Sequence, residues 1–286
     1  MSAGSLLVCT MLALAITAMA PAQVLSKPHV DSATNLAIAT EAQSKFDAAM
    51  ELVVTDSEKA RELFRESAAK YQLVVESGIS NSDLYFNLGN ALVQSDDVGQ
   101  AIGAYLEAQR LSPGDVRIAV NLAHARSLVA AHGTTSTEIQ PLDRVAAFWK
   151  WVGYPTRVFA ASISWTIIWA IVAAGILCGW IPRVPWRILL ITSSAVCLVL
   201  SITVGVDTLR RELNPPGVLV NDQVVVRKGN GDGFAPAFTE TLSRGAEFTM
   251  IEMRPGWYRI RLNDGQSGWV KSSDALVAGE RTRTNG

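Results

Sequence analysis

The chain has 286 residues, 49% of them hydrophobic, and a formal net charge of −1. That balance excludes a binder that works by neutralising nucleic-acid phosphates, which needs a concentrated Lys/Arg surface. Cys9, Cys178 and Cys197 all lie in apolar tracts, and His29, His124 and His132 have no ligand spacing, so neither a disulfide framework nor a metal or other cofactor site is expected. The length suits two modest domains. The excess of apolar residues is confined to three tracts without a charge: Met1 to Ser26, Val158 to Pro182 and Ile188 to Val206.

The first tract runs apolar from Leu6 to Ala18 and then offers Ala18-Met19-Ala20 and Ala20-Pro21-Ala22, both of the small-x-small form read by signal peptidase. Residues 1–22 therefore read as a secretory signal, with Ala22 the better cut because Pro21 obstructs the one before it. An uncleaved anchor is the alternative, and the absence of Lys or Arg before Leu6 leaves both open.

Residues 33–131 carry an internal repeat. Asn87-Leu88-Gly89-Asn90-Ala91 recurs as Asn121-Leu122-Ala123-His124-Ala125, shifted by 34 residues, which is the tetratricopeptide period. A repeat counted from Ser82 puts Tyr85, Leu88, Gly89, Leu92, Ala101, Tyr105, Ala108 and Pro113 on the motif positions. Gly89 and Ala101 allow close helix approach, and Pro113 ends the second helix. Asp97 with Gln100 predicts a capping box. A helix capped at Thr55 to Glu58 and running to about Ser77 is paired with one over Asn35 to Val53, and Arg117 to Ala130 closes the array. The first helix of each repeat lines a concave face, so Asp83, Phe86, Asn87, Asn90, Gln94, Asn121 and His124 are the candidate groove residues. Their amides offer a peptide backbone both donor and acceptor, or else bond to neighbouring helices. Phe86 stands where clamps for a C-terminal carboxylate use a lysine.

Residues 132–157 read as a linker followed by a short amphipathic approach helix. Tracts two and three, expected as transmembrane helices over 158–181 and 188–206, are about 25 and 19 residues long, against the roughly 20 that a bilayer core requires. Trp149, Trp151, Trp165, Trp169, Trp180 and Trp186 crowd around the first, as interfacial indoles do. The turn from Pro182 to Arg187 is too short for a domain, so the two spans predict a hairpin, and parity returns the chain to the side it left. An export signal then puts both flanks in the periplasm of a bacterial inner membrane, with Arg183 and Arg187 in the cytoplasm.

Past Asn214-Pro215-Pro216-Gly217 the pattern becomes alternating β-formers: Val218 to Arg227, Glu247 to Met253, Trp257 to Leu262 and Ser267 to Lys271, with Asn263-Asp264-Gly265 as a tight hairpin turn. Residues 217–278 thus predict one small barrel. Gly256-Trp257-Tyr258-Arg259-Ile260 with Gly268-Trp269-Val270 resembles a bacterial SH3 domain. Trp257 and Tyr258 are its candidate partner contacts, one of them bound to point inward by strand alternation, and Trp269 is expected in the core.

The fold class is therefore multi-domain α plus β: a tetratricopeptide solenoid, a two-helix transmembrane hairpin and an SH3-like barrel. That order resembles the BatE-type proteins of bacterial aerotolerance (Bat) operons. The residues that carry the likeness are Ser82 to Ala91 after Gly78, Asn121 to Arg126, Trp149, and Ala235-Pro236-Ala237-Phe238 through Trp269-Val270. The resemblance implies MoxR-type ATPase and von Willebrand A-domain membrane proteins as partners. Two functions fit: an envelope scaffold that holds partner proteins, and a sensor or recruiter that grips peptidoglycan through the barrel. An enzyme is not expected, because no nucleophile with a base, metal cluster or phosphate loop is present in the sequence.

Overall fold

The computed structural model of the chain describes residues 32–130, 154–178 and 184–280. The expected signal segment, the linker from His132 to Gly153 and the turn residues Pro182 and Arg183 lie outside them.

Five helices form the first body: α1 (Ser32–Leu52), α2 (Ser57–Glu76), α3 (Ser82–Gln94), α4 (Val98–Leu111) and α5 (Val116–Ala130). Each packs on its neighbour in sequence. Polar side chains set the starts by accepting from otherwise orphaned amides: Asp56 from Lys59 N, Asn81 from Asp83 N and Asp97 from Gln100 N. The Gln100 amide returns to the Asp97 carboxylate at 2.6 Å, where a full capping box would have it reach the Asp97 N–H. Gly78, at φ +96°, turns the chain out of α2 in a conformation open to glycine at little cost, and Pro113 follows the end of α4.

Two contacts 34 positions apart join the pairs. Ser67 on α2 is fully buried and its hydroxyl donates to Ala42 O at 2.8 Å, while Ala101 takes the same place on α4 against α3. Only small side chains let the backbones come this close. Phe64, Ile102, Tyr105, Ile118 and Leu122 fill the interior.

The second body is a pair of long helices, α6 (Tyr154–Cys178) and α7 (Val184–Leu213), packed side by side and joined through residues 179–183. Over Thr156–Leu177, α6 is long and apolar enough to cross a membrane; the apolar part of α7, Ile191–Val206, is shorter. Side chains such as Phe159, Ile176 and Ile191 point outward, so this pair is greasy on the surface that faces away from the protein. Because α7 begins at Val184, residues Val184 to Arg187, expected from sequence in the turn, belong to the helix.

The third body is a five-stranded antiparallel sheet, β1 (Pro216–Leu219), β2 (Glu247–Arg254), β3 (Trp257–Leu262), β4 (Ser267–Lys271) and β5 (Ala275–Val277), in the order β4-β3-β2-β1-β5. The single strand expected from Val218 to Arg227 is broken. Gln223 turns the chain at φ 57°, and Val224 to Arg227 returns as separate bridges to Leu242, Pro236 and Trp269. Gly256 and Gly265, both at positive φ, make the two hairpins. Alternation along β3 sends Tyr258 and Ile260 inward, onto a core with Leu219, Val226, Phe248 and Val270.

The helical body and the barrel, widely separated in sequence, are in contact. Val218 and Ala278 of the barrel belong to the helical core cluster. Two glycines on α4 allow it: a Cβ on Gly103 would lie 2.9 Å from Leu276 Cδ1, and one on Gly99 3.0 Å from Leu219 O. The Glu107 carboxylate, 8% exposed, accepts the Gly279 N–H at 2.7 Å and pairs with Arg110. Arg126 forks onto Glu247 at 2.6 and 2.7 Å. That pair is half-exposed and contributes at most about 1 kcal/mol, so the apolar contact and Glu107 carry the joint.

Candidate functional site

The barrel lies against the second helix α4 and the end of α5, which leaves the first-helix face of α3 open. All seven groove residues expected from sequence sit on α3 or α5, but most are already engaged. Asn90 Oδ1 accepts two bonds at 2.8 Å, from the Tyr105 hydroxyl and from Asn121 Nδ2. One repeat earlier, the Tyr71 hydroxyl donates to Gln43 at 2.8 Å and lies beside Asn87. Each tyrosine of a second helix thus ties the first helix of its own pair to the first helix of the next. Burial pushes the Tyr105 hydroxyl pKa up to about 12, against a smaller opposing effect of Asn121, so the bridge stays protonated throughout the physiological range.

Asp83 and Phe86 are also occupied. Arg117, 34 residues after Asp83, pairs with it at 2.9 Å and lays its guanidinium 5.2 Å from the Phe86 ring centroid. Phe86 in turn packs tilted on Tyr105 at 6.2 Å. Gln94 and His124 are exposed, and among the described residues neither side chain has a hydrogen-bond partner. A partner on this face therefore meets a surface whose polar centre is already knitted, with free groups at Gln94 and His124.

This geometry changes what Asn90 does. Its replacement by alanine orphans two donors at a half-buried site, which costs about 1 to 3 kcal/mol. The expected result is a lowered melting temperature of the helical body; an unchanged thermal melt followed by circular dichroism would show the network to be dispensable.

On the barrel, the strand register separates the two aromatic candidates. Tyr258 is inward, 3% exposed, and its hydroxyl bonds to Glu280; Trp257 is outward and half-exposed. Trp269, expected in the core, pairs in register with Arg259 and therefore lies on the outer face. It is nonetheless buried as expected, at 7% exposed, with the Arg254 guanidinium 4.9 Å from its ring and Arg227 paired to its backbone.

The outer face has rows of residues level with one another: Arg254, Trp257 and Lys271, then Glu252, Arg259 and Trp269, then Thr249, Arg261 and Ser267. Lys271 Nζ lies 5.9 Å from the Trp257 ring and 2.9 Å from Asp232, which also faces Arg227. Cations thus outnumber carboxylates on this face of a chain that is close to neutral overall. Sequence reasoning singles out Trp257 and misses Arg254, Arg259 and Lys271. The alternation Trp257, Arg259, Arg261 along one strand is the signal that could have found the face.

Compared with known families, residues 237–276 match the bacterial SH3 domain. No curated protein and no solved structure matches the chain. The matched stretch runs from the loop before Phe238 to β5, while β1 and the Val224–Arg227 segment, which complete the sheet, precede it. The C-terminal body of this chain therefore contains a bacterial SH3 domain.

Proposed function

We propose that the chain is a membrane-anchored interaction scaffold of the BatE kind, in which a short tetratricopeptide array and an SH3-like barrel act as one platform beside the bilayer. A bacterial SH3 domain is consistent with protein or peptidoglycan binding. The observation that favours a composite platform is the joint itself: Glu107 with Gly279, Arg126 with Glu247 and Gly103 under Leu276 hold the bodies on either side of α6 and α7 together. Two bodies that touch, with a greasy helix pair between them in the chain, favour a platform on one side of the membrane. An export signal over residues 1–22 favours the periplasm as that side, and reporters fused after Gly133 and Gly279 should both register there.

The groove residues left free, Gln94 and His124, are assigned to partner contact. The partners implied by the family resemblance are the MoxR-type ATPase and the von Willebrand A-domain membrane proteins of the same operon. Detergent-solubilised full-length chain should retain one or more of these through affinity purification. Gln94→Ala with His124→Ala should reduce that retention by about fivefold or more, as expected when two interfacial hydrogen bonds of roughly 0.5 to 1.5 kcal/mol are lost, with no change in melting temperature. A chain that retains none of these proteins, or a double variant that retains them fully, would remove this assignment.

A further inference from the structure

Three features of the barrel bear on where its cationic face points. First, only Asn214 and Pro215 separate the end of α7 from β1, so the barrel is held close to wherever α7 emerges. Second, Met250 N donates to Pro215 O, which puts Met250 level with the point of entry. From there β2 runs antiparallel to β1, on past the start of that strand, and ends at Arg254. At about 3.3 Å per residue, the four residues from Met250 to Arg254 carry the β2–β3 tip roughly 13 Å back past the entry point, less a little for the bulge after Met250. Third, the apolar part of α7 ends at Val206, and the seven residues on to Leu213 include Asp207, Arg210, Arg211 and Glu212. At about 1.5 Å per residue, they raise the barrel roughly 10 Å above the hydrocarbon edge. For a β1 that continues the line of α7 the two lengths match, which sets the tip at the headgroup layer, about 5 to 7 Å deep on each side.

The tip has the chemistry of that layer. Arg254, Trp257 and Lys271 form its row, Met253 is 48% exposed on it, and Pro255 closes it beside Gly256. Indole rings settle at the membrane interface, and Arg and Lys extend to anionic headgroups while their stems stay in apolar surroundings. Further up the sheet, Arg259 and Arg261 add charge of the same sign.

We propose that the β2–β3 tip of the SH3-like barrel, with Arg254, Trp257 and Lys271, rests on an anionic phospholipid surface, so that the barrel is docked at two points, on α4 and on the bilayer. This rests on the reading that α6 and α7 cross the membrane. The occupant of Trp257 is then lipid, and the platform's free surface for proteins is the α3 face.

The test uses the full chain in lipid nanodiscs, with Cys9, Cys178 and Cys197 replaced by alanine and one nitroxide label at Pro255→Cys, Asp264→Cys or Ile202→Cys. Asp264 occupies the opposite hairpin, between β3 and β4, and Ile202 lies on the apolar part of α7. In discs of phosphatidylglycerol mixed with phosphatidylcholine, the label at 255 should be shielded from a water-soluble relaxant and the label at 264 fully accessible. Arg254→Gln with Lys271→Gln should lower the ratio of shielded to exposed barrel by about fivefold per charge, as should discs of phosphatidylcholine alone. A label at 255 as accessible as the one at 264 in both lipids overturns the proposal. Shielding that requires added peptidoglycan fragments also overturns it and assigns the face to the cell wall. Ile202 accessible to water would remove the membrane reading itself, and the proposal with it, a result distinct from the other two.

Discussion

Gly89→Leu should unfold the helical body rather than merely weaken its contacts. A Cβ at this position would lie 2.5, 2.7 and 2.9 Å from Tyr105 Cε1, Cδ1 and Cζ. Rigid aromatic atoms at that distance must move. Tyr105 has nowhere to go: it is 1% exposed, its hydroxyl is tied to Asn90, and Phe86 packs on its ring. Overpacking of this kind costs about 1 to 3 kcal/mol, and the tyrosine bonds broken by displacing the ring add about 0.5 to 1.5 kcal/mol each. Together these approach the roughly 5 to 15 kcal/mol that stabilise a whole domain. Gly89→Ala, which brings only the first carbon, should fall between parent and Gly89→Leu. Urea titration of full-length protein, followed at a helix-sensitive wavelength, would show it; a Gly89→Leu midpoint equal to the parent's would mean that α3 and α4 do not approach as described.

The period of 34 residues makes the helical body legible in the amino-acid sequence, because Gly89, Ala101, Tyr105 and Pro113 are each required by packing or chain termination at a fixed place in the repeat. The hydrogen-bond partners of the asparagines are not legible in the same way. Asn90 and Asn121 are 31 positions apart and meet only because α3 and α5 flank Tyr105, and an amide that suits a peptide backbone equally suits another amide. In the barrel, alternation gives β2, β3 and β4 nearly to the residue, and the hairpin turn with them. It fails at Val218 to Arg227, where valines flank a turn at Asn221 to Gln223 that carries no glycine or proline to mark it.

The joint between the bodies is illegible for a different reason. Periodicity says that Val218 is buried but not what covers it, and its cover is α4, more than 100 residues away in the chain. A trace is present nonetheless. Gly99 in the first turn of α4 and Gly103 in its interior lie one turn apart, and the roughly 1 kcal/mol that an interior glycine costs relative to alanine is tolerated where Leu276 and Val218 come close.

Glu107 is the residue on which that joint depends, and Glu107→Ala should release the barrel from α4 while leaving both bodies folded. Its carboxylate accepts Gly279 N–H at 2.7 Å and the Arg110 guanidinium at 2.7 to 3.1 Å, and is itself 8% exposed. Removal leaves a part-buried amide without its acceptor and takes the Glu107 carboxylate away from Arg110. Because Arg110 is one-third exposed and can turn to water, the expected loss is about 2 to 4 kcal/mol rather than the full penalty of a sealed pair. Glu107→Gln keeps an acceptor for Gly279 and should lose less. Arg126→Gln, at the half-exposed pair with Glu247, should lose under about 1 kcal/mol. Hydrogen exchange reads the difference directly: in Glu107→Ala the Gly279 amide should exchange about thirtyfold faster or more, with Ile260 in the barrel core and Tyr105 in α4 unchanged. Equal exchange at Gly279 in parent and variant would show that the apolar contact of Gly103 with Leu276 holds the joint alone; faster exchange at Ile260 as well would mean that the barrel does not stay folded once it leaves the helix.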